Sequence, residues 1–249
     1  MVAVTAGPAA SFEVGRVVTR TLGVLVRRPA IWLAALVFLG APQAAGVWLL
    51  FYSDLETGSG GWWAACLALV AAWFVGLALM QGIAIHSTIG TLNGKRPRGA
   101  FKAALAVFAP LTGFLVLAGL AQAAGAVLLL VPGLMMLTAW AVGGPALMVE
   151  GRGVIEAFQR SAELTRGHRW EILGLVVVQI ILERGGMWVF GRLAEQAPDA
   201  AYLLAVVCAK GVTPALAGVV GAVGAATLYY ELRAAKEGLG EGPLAAVFD

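Results

Sequence analysis

Long runs of apolar residues alternate with short polar segments along most of the chain. A helix that spans a bilayer needs about 20 predominantly apolar residues, because each residue adds about 1.5 Å to the length of the helix. In lipid, such runs satisfy their backbone hydrogen bonds only as helices. We therefore predict an all-α polytopic membrane protein that forms a single integral membrane domain over residues 1–249. Its six transmembrane helices are expected at residues 30–52, 62–90, 105–131, 133–149, 170–190 and 201–230.

The third and fourth apolar runs are separated only by Pro132-Gly133, a dipeptide that is typical of turns. One helix through both runs would be about twice as long as a bilayer requires. The sequence therefore predicts a tight hairpin between these two spans.

Three shorter segments have polar and apolar positions at helical spacing. They cover residues 12–28, 99–108 and 154–164, and they precede the first, third and fifth spans. Such segments are typical of amphipathic helices that lie in the plane of the membrane interface. We predict three cytoplasmic interfacial helices, each followed by two spans, as a threefold unit.

Composition and charge support this class of protein and predict its orientation. Hydrophobic residues make up 60% of the chain and charged residues 12%, whereas soluble domains carry about 25% charged residues. With six spans, most of the 17 basic residues fall on one side of the membrane. Because loops rich in Lys and Arg stay in the cytoplasm, we predict that both termini are cytoplasmic. The basic residues on that side are Arg16, Arg20, Arg27, Arg28, Lys95, Arg96, Arg98, Lys102, Arg152, Arg160, Arg166, Arg169, Arg233 and Lys236.

Two oppositely charged residues are expected at a similar depth in the membrane. Glu183 lies near the outer end of the fifth predicted span, and Lys210 lies at a similar distance from the outer end of the sixth. Charged residues inside spans are rare, and they usually pair with one another or face a cavity. We predict an intramembrane ion pair between Glu183 and Lys210, which either locks two helices together or serves transport. A fifth span shorter than expected would instead place this pair at the membrane surface.

Other polar or small residues in the spans favour contacts between helices. Gln81, His86, Gln122 and Gln179 lie in or near spans, where glutamines commonly form hydrogen bonds between helices. Small residues recur at every fourth position of residues 217–225, which lets helices approach closely. The sequence leaves open whether this face packs within the chain or between the copies of a homo-oligomer.

The charged segment between the fourth and fifth spans carries the most specific motif of the chain. Arg160, Ser161, Leu164, Gly167 and Trp170 form the pattern R-S-x-x-L-x-x-G-x-x-W. Glycine favours the left-handed conformation that ends many helices, and tryptophan is enriched where a chain enters the bilayer. The pattern therefore predicts that the third interfacial helix ends at Gly167 and that Trp170 begins the next span.

The basic residues of this segment suit a membrane surface. We expect Arg160, Arg166, His168 and Arg169, together with Trp170, to contact anionic lipid headgroups or a partner. The alternative is that these residues only position the helix, because positive charge near a helix C-terminus stabilises the helix dipole.

This segment resembles an uncharacterised bacterial multi-pass membrane family related to the membrane domain of some glycerophosphodiester phosphodiesterases. The resemblance rests on Pro132-Gly133, Glu150-Gly151, Ala157-Phe158 and the motif from Arg160 to Trp170. It covers residues about 130–176, and the rest of the chain is similar mainly in hydropathy. The resemblance implies a multi-pass fold and a location in the bacterial inner (plasma) membrane, and it implies no particular activity.

The sequence shows no arrangement typical of catalysis. It lacks a phosphate-binding glycine loop, a histidine pair, and an acidic and histidine cluster that would hold a metal. We therefore expect no enzyme activity, no cofactor and no metal, and the position of the basic residues beside spans argues against nucleic acid as a partner. We predict a non-enzymatic inner-membrane protein that organises or binds lipid or supports membrane partners. The alternative is a small transporter or channel that uses the Glu183/Lys210 region.

Overall fold

The computed structural model describes residues 12–128 and 130–237, which form helices joined by short turns and contain no strand. The α-helices are α1 (Val14–Arg27), α2 (Pro29–Ala35), α3 (Ala41–Tyr52), α4 (Gly60–Leu92), α5 (Ala100–Ala106), α6 (Phe108–Leu128), α7 (Leu130–Ala139), α8 (Gly143–Glu150), α9 (Val154–Thr165), α10 (Arg169–Gln196), α11 (Asp199–Val207) and α12 (Thr213–Glu237). Two π-helical segments, Leu36–Gly40 and Cys208–Val212, connect α2 to α3 and α11 to α12.

Six helical stretches of the described chain are long and apolar enough to cross a membrane, which confirms the predicted number of spans. They are Pro29–Phe51, Gly60–Leu92, Phe108–Gly125, Gly133–Glu150, Arg169–Gln196 and Ala201–Glu237. The fifth extends well beyond the predicted end at residue 190, because α10 continues to Gln196. Ala197 then adopts an extended backbone, as expected for a residue that precedes a proline.

Prolines account for the irregular turns in the first and sixth spans. Pro42 follows Leu36–Gly40, and Pro214 follows Cys208–Val212. Proline has no backbone N–H and clashes with the preceding turn, so the helix widens locally. The two widened turns contact each other, since a Cβ added to Gly211 would lie 3.6 Å from the carbonyl oxygen of Gly40.

The expected hairpin is formed by α6 and α7, but the turn is not at Pro132-Gly133. The helix α7 begins at Leu130, so this dipeptide lies in its first turn, where proline is tolerated because its missing N–H would be unpaired in any case. A Cβ added to Gly125 would lie 3.1 Å from the Cα of Gly133, so the two helices pack backbone to backbone beside the turn. The fourth span then bends between Ala139, where α7 ends, and Gly143, where α8 begins. The bend leaves backbone groups that need hydrogen-bond partners from outside these two helices.

Helices are present at the three positions where interfacial helices are predicted, as α1, α5 and α9. Each helix packs part of its surface against the bundle, because Val17 and Val24 of α1, Ala104 of α5 and Leu164 of α9 are buried. Their location at a cytoplasmic interface stays a prediction.

The helix α12 lies at the centre of the bundle and α10 lies at its edge. Buried residues of α12 extend from Ala215 to Leu232, and α12 contacts α1, α2, α4, α8, α9 and α10. On α10, Ile172 and Ala194 are buried, whereas large apolar side chains such as Val178 and Ile181 are exposed. The outer face of α10 is therefore suited to contact with lipid tails.

Candidate functional site

Ser161 of the sequence motif stabilises the bend in the fourth span. Its side chain is fully buried, and its hydroxyl donates a hydrogen bond to the carbonyl of Ala139 over 2.8 Å. The same oxygen accepts a hydrogen bond from the backbone N–H of Val142 over 3.2 Å. Ser161 therefore satisfies a backbone acceptor and a backbone donor that the bend leaves outside the helical pattern.

Glu150, at the end of the fourth span, is the centre of a charged network. Its carboxylate, with only 9% of the side chain exposed, accepts hydrogen bonds from Arg160 Nε over 2.9 Å and from Arg152 Nε over 2.6 Å. The hydroxyl of Tyr229 donates a third hydrogen bond, over 2.9 Å. The network thus joins the end of α8 to α9 and α12.

Glu237 provides the second carboxylate of this network. It forms an ion pair with Arg160 and accepts a hydrogen bond from Arg233 Nε over 2.7 Å. Burial alone would lower the pKa of Arg160, but hydrogen bonds to Glu237 and Glu150 raise its pKa above the usual value. Arg160 is therefore held as a cation between two carboxylates, which leaves it little capacity to bind a lipid phosphate.

The end of α9 agrees with the sequence prediction. Gly167 has a φ of 94°, in the left-handed region that favours glycine. The ammonium group of Lys236 donates hydrogen bonds to the carbonyl oxygens of Arg166 (2.8 Å) and Glu163 (2.5 Å). These contacts satisfy carbonyl groups at the helix end and attach α9 to the end of α12.

The remaining residues of the predicted lipid contact have different surroundings. Trp170 is 83% exposed at the start of α10, and Arg166 is also exposed. The ring of His168 packs against Phe12 with 4.6 Å between centroids, and the side chain of Arg169 is partly buried. Arg166 and Trp170 are therefore the predicted contacts most accessible to a membrane surface.

Glu183 and Lys210 do not form the predicted ion pair: neither side chain has an ion pair or hydrogen bond among the described residues. The prediction assumed that the fifth span ends at residue 190, but α10 ends at Gln196. The additional residues place Glu183 about 9 Å further from the end of its helix, at about 1.5 Å per residue. Lys210 lies in the π-helical segment Cys208–Val212 and is exposed. A Cβ added to Gly186 of α10 would lie 2.7 Å from Thr213 Cγ2. In this antiparallel pair, that register puts Lys210 level with about residue 189, about six residues or roughly 9 Å from Glu183 along the helix axis, so the two side chains do not face each other.

A second charged cluster attaches α1 to the bundle. Glu231 of α12 is almost completely buried, and its carboxylate lies 2.7 Å from Arg20 Nη1 and 3.4 Å from Arg16 Nη1. A buried carboxylate needs such partners, because an unpaired charge inside a protein is strongly unfavourable. This cluster holds α1 across the end of α12.

A cavity of about 460 Å³ lies between the helices, lined by residues of α1, α4, α6, α7, α8, α10 and α12. Along α10 it extends from Ile172 to Leu182, which corresponds to about 15 Å at about 1.5 Å per residue. Leu22, Val178 and Leu182 line the cavity and are also exposed on the outer surface of the protein. The cavity is therefore elongated along the helices, and its margin is continuous with the apolar surface.

Three glutamines that the sequence places in separate spans line this one cavity: Gln81, Gln122 and Gln179. The side-chain amide of Gln179 donates a hydrogen bond to the carbonyl of Ala217 and lies over Gly221, where a Cβ would be 3.1 Å from its nitrogen. The expected contact between helices is thus made by Gln179, and the small residues beside it pack within the chain. His86 lines a separate cavity of about 210 Å³.

Within the described residues there is no group of three or more His, Cys, Asp or Glu side chains that could hold a metal ion. Cys66 and Cys208 are free thiols and are partly buried.

Comparison with known proteins assigns the chain to a family. The model of the family described as "Domain of unknown function (DUF7847)" matches residues 12–232, so the chain belongs to that family. No curated protein and no solved structure matches the chain.

Proposed function

We propose that this multi-pass membrane protein, from a family without an assigned function, is a non-enzymatic lipid-binding protein of the bacterial inner membrane. A lipid hydrocarbon chain occupies the cavity between the spans, and the basic cytoplasmic loops lie against anionic headgroups. The cavity is the observation that carries this proposal.

The size and shape of the cavity support a hydrocarbon ligand. Its volume of about 460 Å³ lies within the range of about 300–1,000 Å³ that is common for ligand pockets. Its length along α10, about 15 Å by helical rise, is half of a hydrocarbon core about 30 Å thick. One acyl chain of one leaflet has this extent.

The margin of the cavity supports entry of the ligand from the bilayer. Leu22, Val178 and Leu182 contribute both to the lining and to the exposed apolar surface. A hydrocarbon chain would pass between them without crossing a polar surface, so transfer from the bilayer would require little desolvation.

The basic residues support an orientation with the cytoplasmic leaflet beside α1 and α9. Basic segments next to spans are attracted to anionic lipids, and Arg166 at the end of α9 and Trp170 in the first turn of α10 are exposed. The alternative of a transporter rested on a pair between Glu183 and Lys210, so no observation favours it over lipid binding.

The experiment that tests this proposal compares two glycine substitutions. Gly224 lines the cavity, and a Cβ added there would have no atom within 4 Å, so Gly224→Leu places a side chain in the cavity without a clash at its Cβ. Gly119 of α6 has equally open surroundings but lies outside the cavity, so Gly119→Leu is the matched control. Both full-length variants and the unchanged protein are purified in detergent, and retained lipid is measured by mass spectrometry.

We expect the unchanged protein and Gly119→Leu to retain lipid in a fixed ratio to protein, and Gly224→Leu to lose most of it. Equal retention by the two variants, or no lipid above the detergent background in the unchanged protein, would contradict the proposal.

A further inference from the structure

The polar groups in the cavity carry an inference about the ligand, which rests on the lipid binding proposed above. We propose that the ligand is a neutral lipid: a long hydrocarbon chain with an uncharged hydroxyl or carbonyl group, which Gln81 and Gln122 recognise inside the membrane. Acylglycerols, long-chain alcohols and quinones with hydrocarbon tails share this chemistry.

None of the described residues that line the cavity has a charged side chain. A phosphate or carboxylate inside it would lose its hydration without gaining an opposite charge, which is strongly unfavourable. The part of the ligand that enters the cavity must therefore be uncharged.

The lining nevertheless contains more polar groups than a hydrocarbon chain needs. Each glutamine side chain offers two N–H donors and one carbonyl acceptor. Among the described residues, the side chains of Gln81 and Gln122 make no hydrogen bond, whereas the amide of Gln179 donates to Ala217. Two carboxamides from different spans are thus left for a ligand.

Thr21 provides an independent observation that points to a ligand. It lines the same cavity, its side chain is 6% exposed, and its hydroxyl oxygen is buried without a hydrogen-bond partner. Buried polar atoms normally have partners, and a hydroxyl or carbonyl oxygen of a ligand would supply one here.

The depth of the glutamines restricts the ligand further. Gln81 lies 11 residues from the end of α4 at Leu92, and Gln122 lies 14 residues from the start of α6 at Phe108. These distances correspond to about 17 Å and about 21 Å by helical rise, well inside a hydrocarbon core about 30 Å thick. A phospholipid has its polar atoms at the interface, whereas the polar group of a neutral lipid reaches this depth without carrying a charge into the hydrocarbon.

The test uses photoreactive lipid probes on the full-length protein in phospholipid nanodiscs. Three neutral probes, a diacylglycerol, a long-chain alcohol and a quinone with a hydrocarbon tail, are compared with phosphatidylglycerol and phosphatidylcholine probes that carry the same photoreactive chain. Protein variants are Gln81→Leu/Gln122→Leu, which removes the two free carboxamides, and Gln159→Leu, whose side chain is exposed on α9 outside the cavity.

We expect at least one neutral probe to label the unchanged protein and Gln159→Leu about tenfold more strongly than the phospholipid probes, a difference of one order of magnitude in affinity. The double variant should lose this preference for neutral probes. It should keep the weaker labelling that every probe gives through its hydrocarbon chain. The neutral probe that labels best identifies the ligand chemistry. If the double variant does not give monodisperse protein, Thr21→Val replaces it and should reduce neutral labelling in the same direction.

Equal labelling by neutral and phospholipid probes, or a preference that survives the double variant, would overturn the neutral-lipid inference and leave lipid binding intact. Absence of labelling by every probe would instead overturn the proposed function itself.

Discussion

Replacing Glu150 with glutamine should destabilise the protein, because this carboxylate is the buried centre of the network. The Glu150 carboxylate accepts hydrogen bonds from Arg160, Arg152 and Tyr229. Removing one partner of a buried ion pair costs about 3–5 kcal/mol, because the other charge stays buried. Arg160 keeps Glu237 as a partner, and the side chain of Arg152 is 41% exposed, so we expect the lower end of this range, about 3 kcal/mol.

Thermal unfolding in detergent measures this change, with the fluorescence of the eight tryptophans as the signal. For chains of this length, about 1 kcal/mol shifts the midpoint temperature by about 2–4 °C. The variant Glu150→Gln should therefore unfold about 6–12 °C below the unchanged protein.

The matched control is Glu163→Gln, which alters a carboxylate near the same arginine. Its oxygen lies 3.9 Å from Arg160 Nη1, and its side chain is 68% exposed. Exposed ion pairs contribute about 0–1 kcal/mol, so this variant should unfold within about 4 °C of the unchanged protein. Equal shifts for the two variants would refute the reasoning that burial makes Glu150 the centre of the network.

Three further predictions concern packing and orientation. Ser161→Ala removes both hydrogen bonds at the bend of the fourth span and should lower the free energy of unfolding by about 1–3 kcal/mol; an unchanged midpoint in the same assay would contradict this role. Gly76→Ala places a Cβ 1.9 Å from the carbonyl oxygen of Phe38 and should cost about 1–3 kcal/mol, whereas Gly119→Ala, in open space, should stabilise its helix by up to about 1 kcal/mol. A fluorescent protein fused to the C-terminus should fluoresce and alkaline phosphatase inserted in residues 53–59 should be active; the reverse pattern would contradict the cytoplasmic termini.

The sequence predicts the number of spans well because hydropathy and helix length are local properties. It predicts helix ends less well, and α10 shows the reason. Arg192 and Glu195 end the apolar run, but the backbone hydrogen bonds continue to Gln196 and stop where Pro198 follows. The apolar run ends where the membrane ends, whereas the helix continues until a proline stops it, so the predicted end of the fifth span is six residues short.

The charged network could not be derived from local spacing. Helix rules connect residues three or four apart, but Tyr229 and Glu150 are 79 positions apart, and Arg160 and Glu237 are 77 apart. These contacts depend on the path by which α12 returns to α8 and α9. The sequence motif marks the positions that take part in them, since Arg160 binds both carboxylates and Ser161 holds the bend.

The helix α1 links the charged clusters to the cavity. Arg16 and Arg20 bind Glu231, and the neighbouring residues Val17 and Thr21 line the cavity. Residues four apart lie on the same side of a helix, so Arg16 and Arg20 form one row on α1, and Val17 and Thr21 form the row beside it. The contacts of the two arginines with Glu231 therefore also fix the position of the cavity wall that Val17 and Thr21 form. A ligand that contacts Val17 and Thr21 would stabilise the same docked position of α1, so the buried ion pairs and the occupied cavity should support each other. Charged residues of α1 and α12 thereby help to set the shape of an uncharged site between the helices.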